Sequence, residues 1–435
     1  MISQRLRRLI LSQKWTKKEW TVAAAVSLVV LMYAFSFLSE SQSKDRSNGA
    51  QPFGSSSAVS VPLTLLRNSK EKGAFCLDGS SPGYHIQKGF GSGLESWVLH
   101  IEGGGWCGTI EGCSSRRGTQ LGSSNSMDLQ VQFSGILSSL PSQNPDFFNW
   151  NKVKIRYCDG GSLSGHPEAE FTNGTTLLFR GQLIWEAIMD ELLSLGLSNA
   201  KQALLSGCSA GGLATFLHCD DFREILPKDI TVKCLADASF FLNEKDIAGQ
   251  NTMASLYQSV VNLQGSEKSL DKECLTRTES SKHYQCLFPQ EFLMNIKTPL
   301  FLVHPAYDFW QIQHIFVPDN SDPRGEWFRC KRNILQCNSE QLEVLHGYRN
   351  SLLKILDDVQ QKKKFGMFVN SCFVHCQTWM TETWHSPNSP RINNKTIAES
   401  VGDWYFGRKD VKHIDCPFPC NPTCRNMDML HSILH

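Results

Sequence analysis

The sequence has no excess of either charge: 43 Lys and Arg stand against 42 Asp and Glu, a formal net charge of +1. Six of the cations, Arg5, Arg7, Arg8, Lys14, Lys17 and Lys18, precede position 20; without residues 1–19 the balance is 37 against 41, or −4. A mildly acidic body lacks the cationic surface that neutralises phosphates, which excludes a nucleic-acid partner. Internal repeats are missing, as are low-complexity runs beyond position 61, so solenoids and a wholly disordered chain are excluded as well. Charge is also absent from 20–38, a nearly uninterrupted apolar run of 19 residues. That run can cross a bilayer as a helix at about 1.5 Å per residue, with the basic end held cytoplasmic by the positive-inside rule. A cleaved signal peptide is the alternative, but 37–40 lacks the small-residue cleavage pattern.

The expected organisation is a basic tail (1–19), a signal anchor (20–38), a stem rich in Ser, Gly, Gln and Asn (39–61), one domain (62–428) and a short tail (429–435). Cysteine is absent before Cys76, and all 16 cysteines lie beyond the apolar run, an even number that reads as a disulfide framework on the lumenal or outer side. Their spacing leaves the pairing open. Cys416, Cys420 and Cys424 have a spacing that could hold zinc, yet no histidine cluster accompanies them. Asn173 and Asn394 open N-x-T sequons, which are glycosylation acceptors once the chain enters the secretory pathway.

What is present centres on 203–214, where an apolar run meets Gly207-Cys208-Ser209-Ala210-Gly211 and then a small-residue helix start. A strand-to-helix turn of this pattern holds a serine hydroxyl exposed, and its glycines keep bulky neighbours away. An apolar strand at 97–102 runs into Gly103-Gly104-Gly105-Trp106, whose backbone amides are free to face a ligand. With the residue after the serine, such a loop can form an oxyanion hole, here Gly104, Gly105, Trp106 and Ala210. Strands are also expected at 152–158, 231–237, 299–304 and 365–369, and helices at 178–197, 213–222 and 342–359. Alternating strands and helices specify an α/β fold with a mostly parallel sheet and crossover helices. Residues 240–284 read as a lid or side insertion of the kind that shapes a substrate pocket.

The nucleophile needs a base and an acid. Asp308 follows the penultimate strand, with Asp237 as the rival acid, and His375 follows the last strand within a short loop. Ser209, Asp308 and His375 then appear in the chain order used by α/β-hydrolases.

With these motifs in place the chain resembles the plant pectin acetylesterase family, which includes the animal carboxylesterase Notum. The resemblance runs over about 62–428 and rests on 76–80, 102–107, 156–160, 179–181, 207–212, 307–312, 375–377 and 401–406. It implies a cell-wall serine esterase that removes O-acetyl groups from pectin, with Ser209, Asp308 and His375 as triad and no metal or organic cofactor. The expected form is a monomer, in the Golgi lumen or at the cell wall, held to the membrane by its N-terminal helix. Longer-chain deacylation of protein or lipid, or binding without catalysis, are the alternatives. Arg156, Asp159 and Arg180 are the candidate contacts to the polysaccharide, on the expectation that local cations meet uronate groups. The chain departs from the family pattern at His304 and His166, both expected near rim loops.

Overall fold

The computed structural model describes residues 59–167, 170–172 and 176–429. The expected anchor and the Asn173 sequon lie outside them, and among the described residues no helix is long and apolar enough to cross a membrane.

The strands are β1 (Ser60–Leu65), β2 (Gly83–Gln87), β3 (Ser96–Ile101), β4 (Gln130–Gln132), β5 (Asn151–Ile155), β6 (Glu170–Thr172), β7 (Thr176–Leu178), β8 (Gln202–Cys208), β9 (Thr231–Asp237), β10 (Leu300–Pro305), β11 (Phe365–Asn370) and β12 (Lys412–Ile414). Ten of them form one sheet in the order β12-β11-β10-β9-β8-β3-β5-β2-β1-β4, and β6 and β7 make a separate hairpin. From β12 to β5 all neighbours are parallel, whereas β2, β1 and β4 continue the sheet antiparallel. Every residue of β3, β10 and β11 is buried, as a sheet covered on both faces requires.

Helices supply the cover. They include α1 (Ile110–Arg117), α2 (Gly181–Ser194), α3 (Ala210–Glu224), α4 (Thr252–Gln264), α5 (Ser339–Gln360) and α6 (Ile397–Tyr405). The two-residue strand period sorts side chains between two cores: Trp97, Leu99 and Leu205 face Ile184, Leu213 and Leu352, while Val98, Leu204 and Phe301 face Val401 and Trp404 of α6. α5 begins with a reciprocal cap in which Asn338 and Gln341 satisfy each other's backbone N–H.

The parallel strands other than β12, which was not expected, and α2, α3 and α5 lie where the sequence pattern put them, within a few residues. The antiparallel extension and α6 carry weaker signals: β4 has three residues, and β2 buries three consecutive residues without alternation.

All 16 cysteines are bridged, which removes the thiolates a zinc site would need; Cys416 pairs with Cys420 and Cys372 with Cys424. Across 168 residues, Cys208 at the end of β8 is joined to Cys376 in the loop after β11.

The turn after β8 is pressed onto β3. A Cβ at Gly211 would lie 2.3 Å from the carbonyl oxygen of Ile101 and 2.5 Å from that of Glu102, both rigid backbone. Gly211→Ala should therefore lower stability by about 1–3 kcal/mol, the usual range for overpacking, or more. A denaturant midpoint equal to wild type would show that β3 and α3 can separate freely.

Candidate active site

β8 ends in a turn whose backbone is strained. Ser209 has φ 57° and ψ −125°, outside the ordinary regions for a residue with a side chain. The strain is held by its surroundings: Ser209 N–H donates to the Asp237 carbonyl at 2.9 Å, and α3 starts immediately afterwards. The hydroxyl borders a cavity of 340 Å³ also lined by Gly103, Gly104, Gly105, Trp310 and His375.

His375 lies in the loop after β11, and its Nδ1 is 2.8 Å and 3.0 Å from the two carboxylate oxygens of Asp308. A carboxylate only accepts, so Nδ1 carries the proton and Nε2 is left as the basic nitrogen. Asp308 is buried and is itself fixed by the Gln311 N–H at 2.9 Å. The indole of Trp310 stacks on the His375 ring at 6.0 Å between centroids.

Asp237 has a different task from the one its sequence position offered. Its Oδ2 accepts the N–H of Gln377 at 2.6 Å, the N–H of Thr378 at 2.7 Å and the Thr378 hydroxyl at 2.8 Å. One residue thus holds the serine turn through its main-chain carbonyl and the histidine loop through its carboxylate. The Cys208–Cys376 bridge ties the same two segments.

In the glycine loop, Gly104 and Gly105 have φ +154° and +63°, conformations open to glycine. Their carbonyls are engaged: Arg116 donates to Gly104 O and the Tyr157 hydroxyl to Gly105 O, the latter at 2.8 Å. In a trans peptide the N–H points opposite the carbonyl, so these clamps turn the N–H groups of Gly105 and Trp106 the other way. Among the described residues neither N–H has an internal acceptor. Ala210, first residue of α3, also has no intrahelical acceptor for its N–H and sits at the positive end of the helix dipole. The two sides are connected, because Trp106 Nε1 donates to Ser162 Oγ at 2.7 Å and Ser162 Oγ donates to Ala210 O at 2.8 Å.

Arg116 and Tyr157 escaped the sequence reading, since a clamp on a carbonyl leaves no motif. The Cys107–Cys113 bridge tethers the start of α1 to the glycine loop, on the side from which Arg116 reaches it. The insertion at 240–284 is tied to the glycine loop, since buried Gln264 of α4 donates to the carbonyls of Cys107 at 2.9 Å and Gly160 at 2.8 Å, but none of its residues lines the cavity.

The charged residues expected to meet substrate lie elsewhere. Arg156 is 1% exposed and bound to Glu102 at 2.9 Å, and Asp159 is fully buried, accepting the N–H groups of Gly161 and Leu163. Arg180 precedes α2 and donates to the Pro167 carbonyl; none of the three lines the cavity. A continuous polar side is needed to support the strand ends and turns, and it consumes these groups. His304 is not on a rim loop but inside β10, where burial pushes its imidazole down to about 4 and keeps it neutral. His166 borders a separate 450 Å³ cavity with Asp220 and Asp271. Asn394 is exposed in a turn and open to a glycan.

Such a cavity suits a carboxylic ester hydrolase, with an acyl carbon beside the serine and its oxygen among backbone amides. The family is narrower: the family model for pectinacetylesterase matches residues 55–425, and the chain belongs to that family. It is 58% identical to pectin acetylesterase 5 of Arabidopsis thaliana, over 98% of this chain and all of that protein. Pectin acetylesterase 4 of the same plant is 55% identical over 96% of this chain and all of its own length. Human palmitoleoyl-protein carboxylesterase NOTUM is 33% identical over 83% of this chain and 72% of its own length.

Burial pushes the carboxyls of Asp159 and Asp237 up from 3.8 to about 6. Between about pH 4 and 6 the folded protein keeps protons that the unfolded chain has released, so the stability these groups contribute falls as pH rises through that window. Asn cannot titrate. Asp237→Asn should therefore gain stability relative to wild type on going from pH 4 to 7, read from denaturant midpoints; a relative loss would contradict the burial argument.

Proposed function

We propose that this protein removes O-acetyl groups from pectin through a Ser209 acyl-enzyme, with His375 as base and Asp308 as its partner. The observation that carries this reading is the Asp308–His375 hydrogen bond at the edge of the cavity that holds Ser209 on its strained turn. His375 Nε2 takes the Ser209 proton as Oγ bonds to the acetyl carbon, and the carbonyl electrons move to an oxygen facing the N–H groups of Gly105, Trp106 and Ala210. Collapse breaks the bond to the sugar oxygen, which receives the proton from His375. Water then attacks the acetyl-enzyme by the same route and acetate leaves. Asp308 orients the ring and stabilises its cation.

Aromatic packing supports a short acyl group. Trp106, Phe241 and Trp310 meet edge to face at 4.8–6.0 Å, and a Cβ at Gly105 would lie 3.8 Å from Trp310. Of the three, Trp310 lines the cavity, and on this reading its ring, braced by the other two, sets the limit on acyl length. The disulfides fit an oxidising compartment, so the enzyme works in the secretory lumen or at the cell wall, with 20–38 as its anchor.

Ser209→Ala should lower acetate release from pectin by on the order of 10⁴-fold or more in a protein with unchanged melting behaviour. Asp308→Asn should also cost strongly, and Asp237→Asn much less, because only Asp308 touches the base. Wild-type turnover in a folded Ser209→Ala protein, or a reversed order of the two Asp variants, would overturn the assignment.

The second test compares acetate, butyrate and octanoate esters of one leaving group. Wild type should lose kcat/KM steeply beyond butyrate, and Trp310→Ala should raise the octanoate-to-acetate ratio about tenfold or more by opening the apolar side. An octanoate preference in wild type would replace acetyl by a longer acyl group.

A further inference from the structure

The cavity lining includes Lys154 and Glu102, part of a charge cluster that the reaction does not use. Lys152, Lys154 and Arg156 alternate along β5 and its end, so they project on one side of the sheet. Their fates differ. Lys152 is buried and donates to Ser139 Oγ at 2.9 Å and the Phe148 carbonyl at 2.6 Å. Arg156 is buried against Glu102, with Gln120 at 2.9 Å and the exposed Asp128 at 3.6 Å on its outer side. Lys154 alone of the three borders the cavity, and its side chain keeps 22% of its surface open.

Its only ionic partner among the described residues is Glu102, at 3.0 Å. Glu102 is shared, because its other oxygen holds Arg156. Arg156 is also met by Asp128, so the two cations are balanced by two carboxylates, of which only Glu102 is among the residues lining the cavity. An ammonium has three donors, so Lys154 can take a second anion without releasing Glu102. His100, the neighbour of Lys154 across the sheet, adds no charge, since burial pushes its imidazole down to about 3.

The register sets the distance. Lys154 pairs with His100, and His100 with Ser206, so the lysine stands two strands from β8, which ends one residue before Ser209. At about 4.8 Å per strand the lateral separation from Ser206 is about 10 Å, and Ser209 lies three residues further along, about 10 Å more at about 3.3 Å per residue, which places the lysine beside a neighbouring sugar rather than the acetyl group itself. Trp379, 47% exposed on the same rim, offers a flat apolar face.

From this placement we propose that Lys154 is the cation that reads a uronate carboxylate next to the acetylated sugar, with Trp379 against the sugar face. The proposal rests on the pectin reading above and adds the residue that distinguishes an acidic from a neutral polysaccharide. It also answers how a domain of net negative charge selects a polyanion: the attraction is one desolvated contact, not the overall field.

The test uses the full chain with Lys154→Gln and Lys154→Arg, assayed on acetylated polygalacturonate, acetylated xylan and a small chromogenic acetate. For Lys154→Gln the ratio of kcat/KM on the polyuronate to that on xylan should fall about tenfold, the worth of one charge-assisted hydrogen bond. The change should sit mainly in KM, and Lys154→Arg should restore part of it. Deacetylated polygalacturonate should inhibit hydrolysis of the small acetate in wild type, more weakly at high salt, and about tenfold more weakly in Lys154→Gln. Inhibition reads the lysine site whether or not pectin is the substrate. If wild type releases no acetate from pectin yet shows lysine-dependent inhibition, the pectin reading fails and the uronate site stands. An unchanged ratio, or an unchanged inhibition constant in Lys154→Gln, overturns the proposal.

Discussion

The catalytic end of this protein depends on one residue holding two chain segments at once. Asp237, at the tip of β9, accepts the Ser209 N–H with its main-chain carbonyl and the N–H groups of Gln377 and Thr378 with its carboxylate. A serine turn with positive φ and a histidine on a loop after a different strand have no reason to stay in register by themselves. Strain of this kind persists only where the surroundings over-determine it. The Cys208–Cys376 bridge adds a covalent tie between the same neighbours, so a local opening of either segment must displace both.

Burying a carboxylate for this purpose is costly, and the raised titration of Asp237, pushed to about 6, records the cost. Three donors on one oxygen offset part of it. The same logic governs the glycine loop. Two carbonyls are claimed by Arg116 and Tyr157, and in consequence the attached amides are presented without internal partners. Preorganised amides of this sort need no rearrangement when charge develops on a substrate oxygen, which is where such groups contribute most.

On the proposed reading the cavity meets the substrate as two problems, acyl length beside the Trp310 ring and sugar charge beside Lys154, which shares Glu102 with a buried arginine. Length selection needs only filled volume, so large apolar side chains suffice. Selection of an acidic sugar needs a cation with a donor to spare, and in a domain of negative balance that cation must be local.

Much of the parallel sheet was legible in the sequence, because continuous apolar runs such as 203–208, 300–304 and 365–369 carry their burial in their composition, and the Gly-x-Ser-x-Gly turn carries its geometry in its glycines. The proposed order of serine, aspartate and histidine along the chain was read from the same local signals. Three things were settled only by the tertiary structure. Cysteine pairing depends on which loops meet, and spacing does not encode that. Between two aspartates that each end an apolar strand, Asp308 meets His375 while Asp237 braces its loop, a difference set by the paths of the loops after β9, β10 and β11. Among cations two residues apart on β5, alternation predicts a shared face but not depth along it: Arg156 and Lys152 are covered by neighbouring loops, and Lys154 is left at the cavity. Local pattern specifies which side of the sheet a residue takes, and long-range packing decides what it finds there.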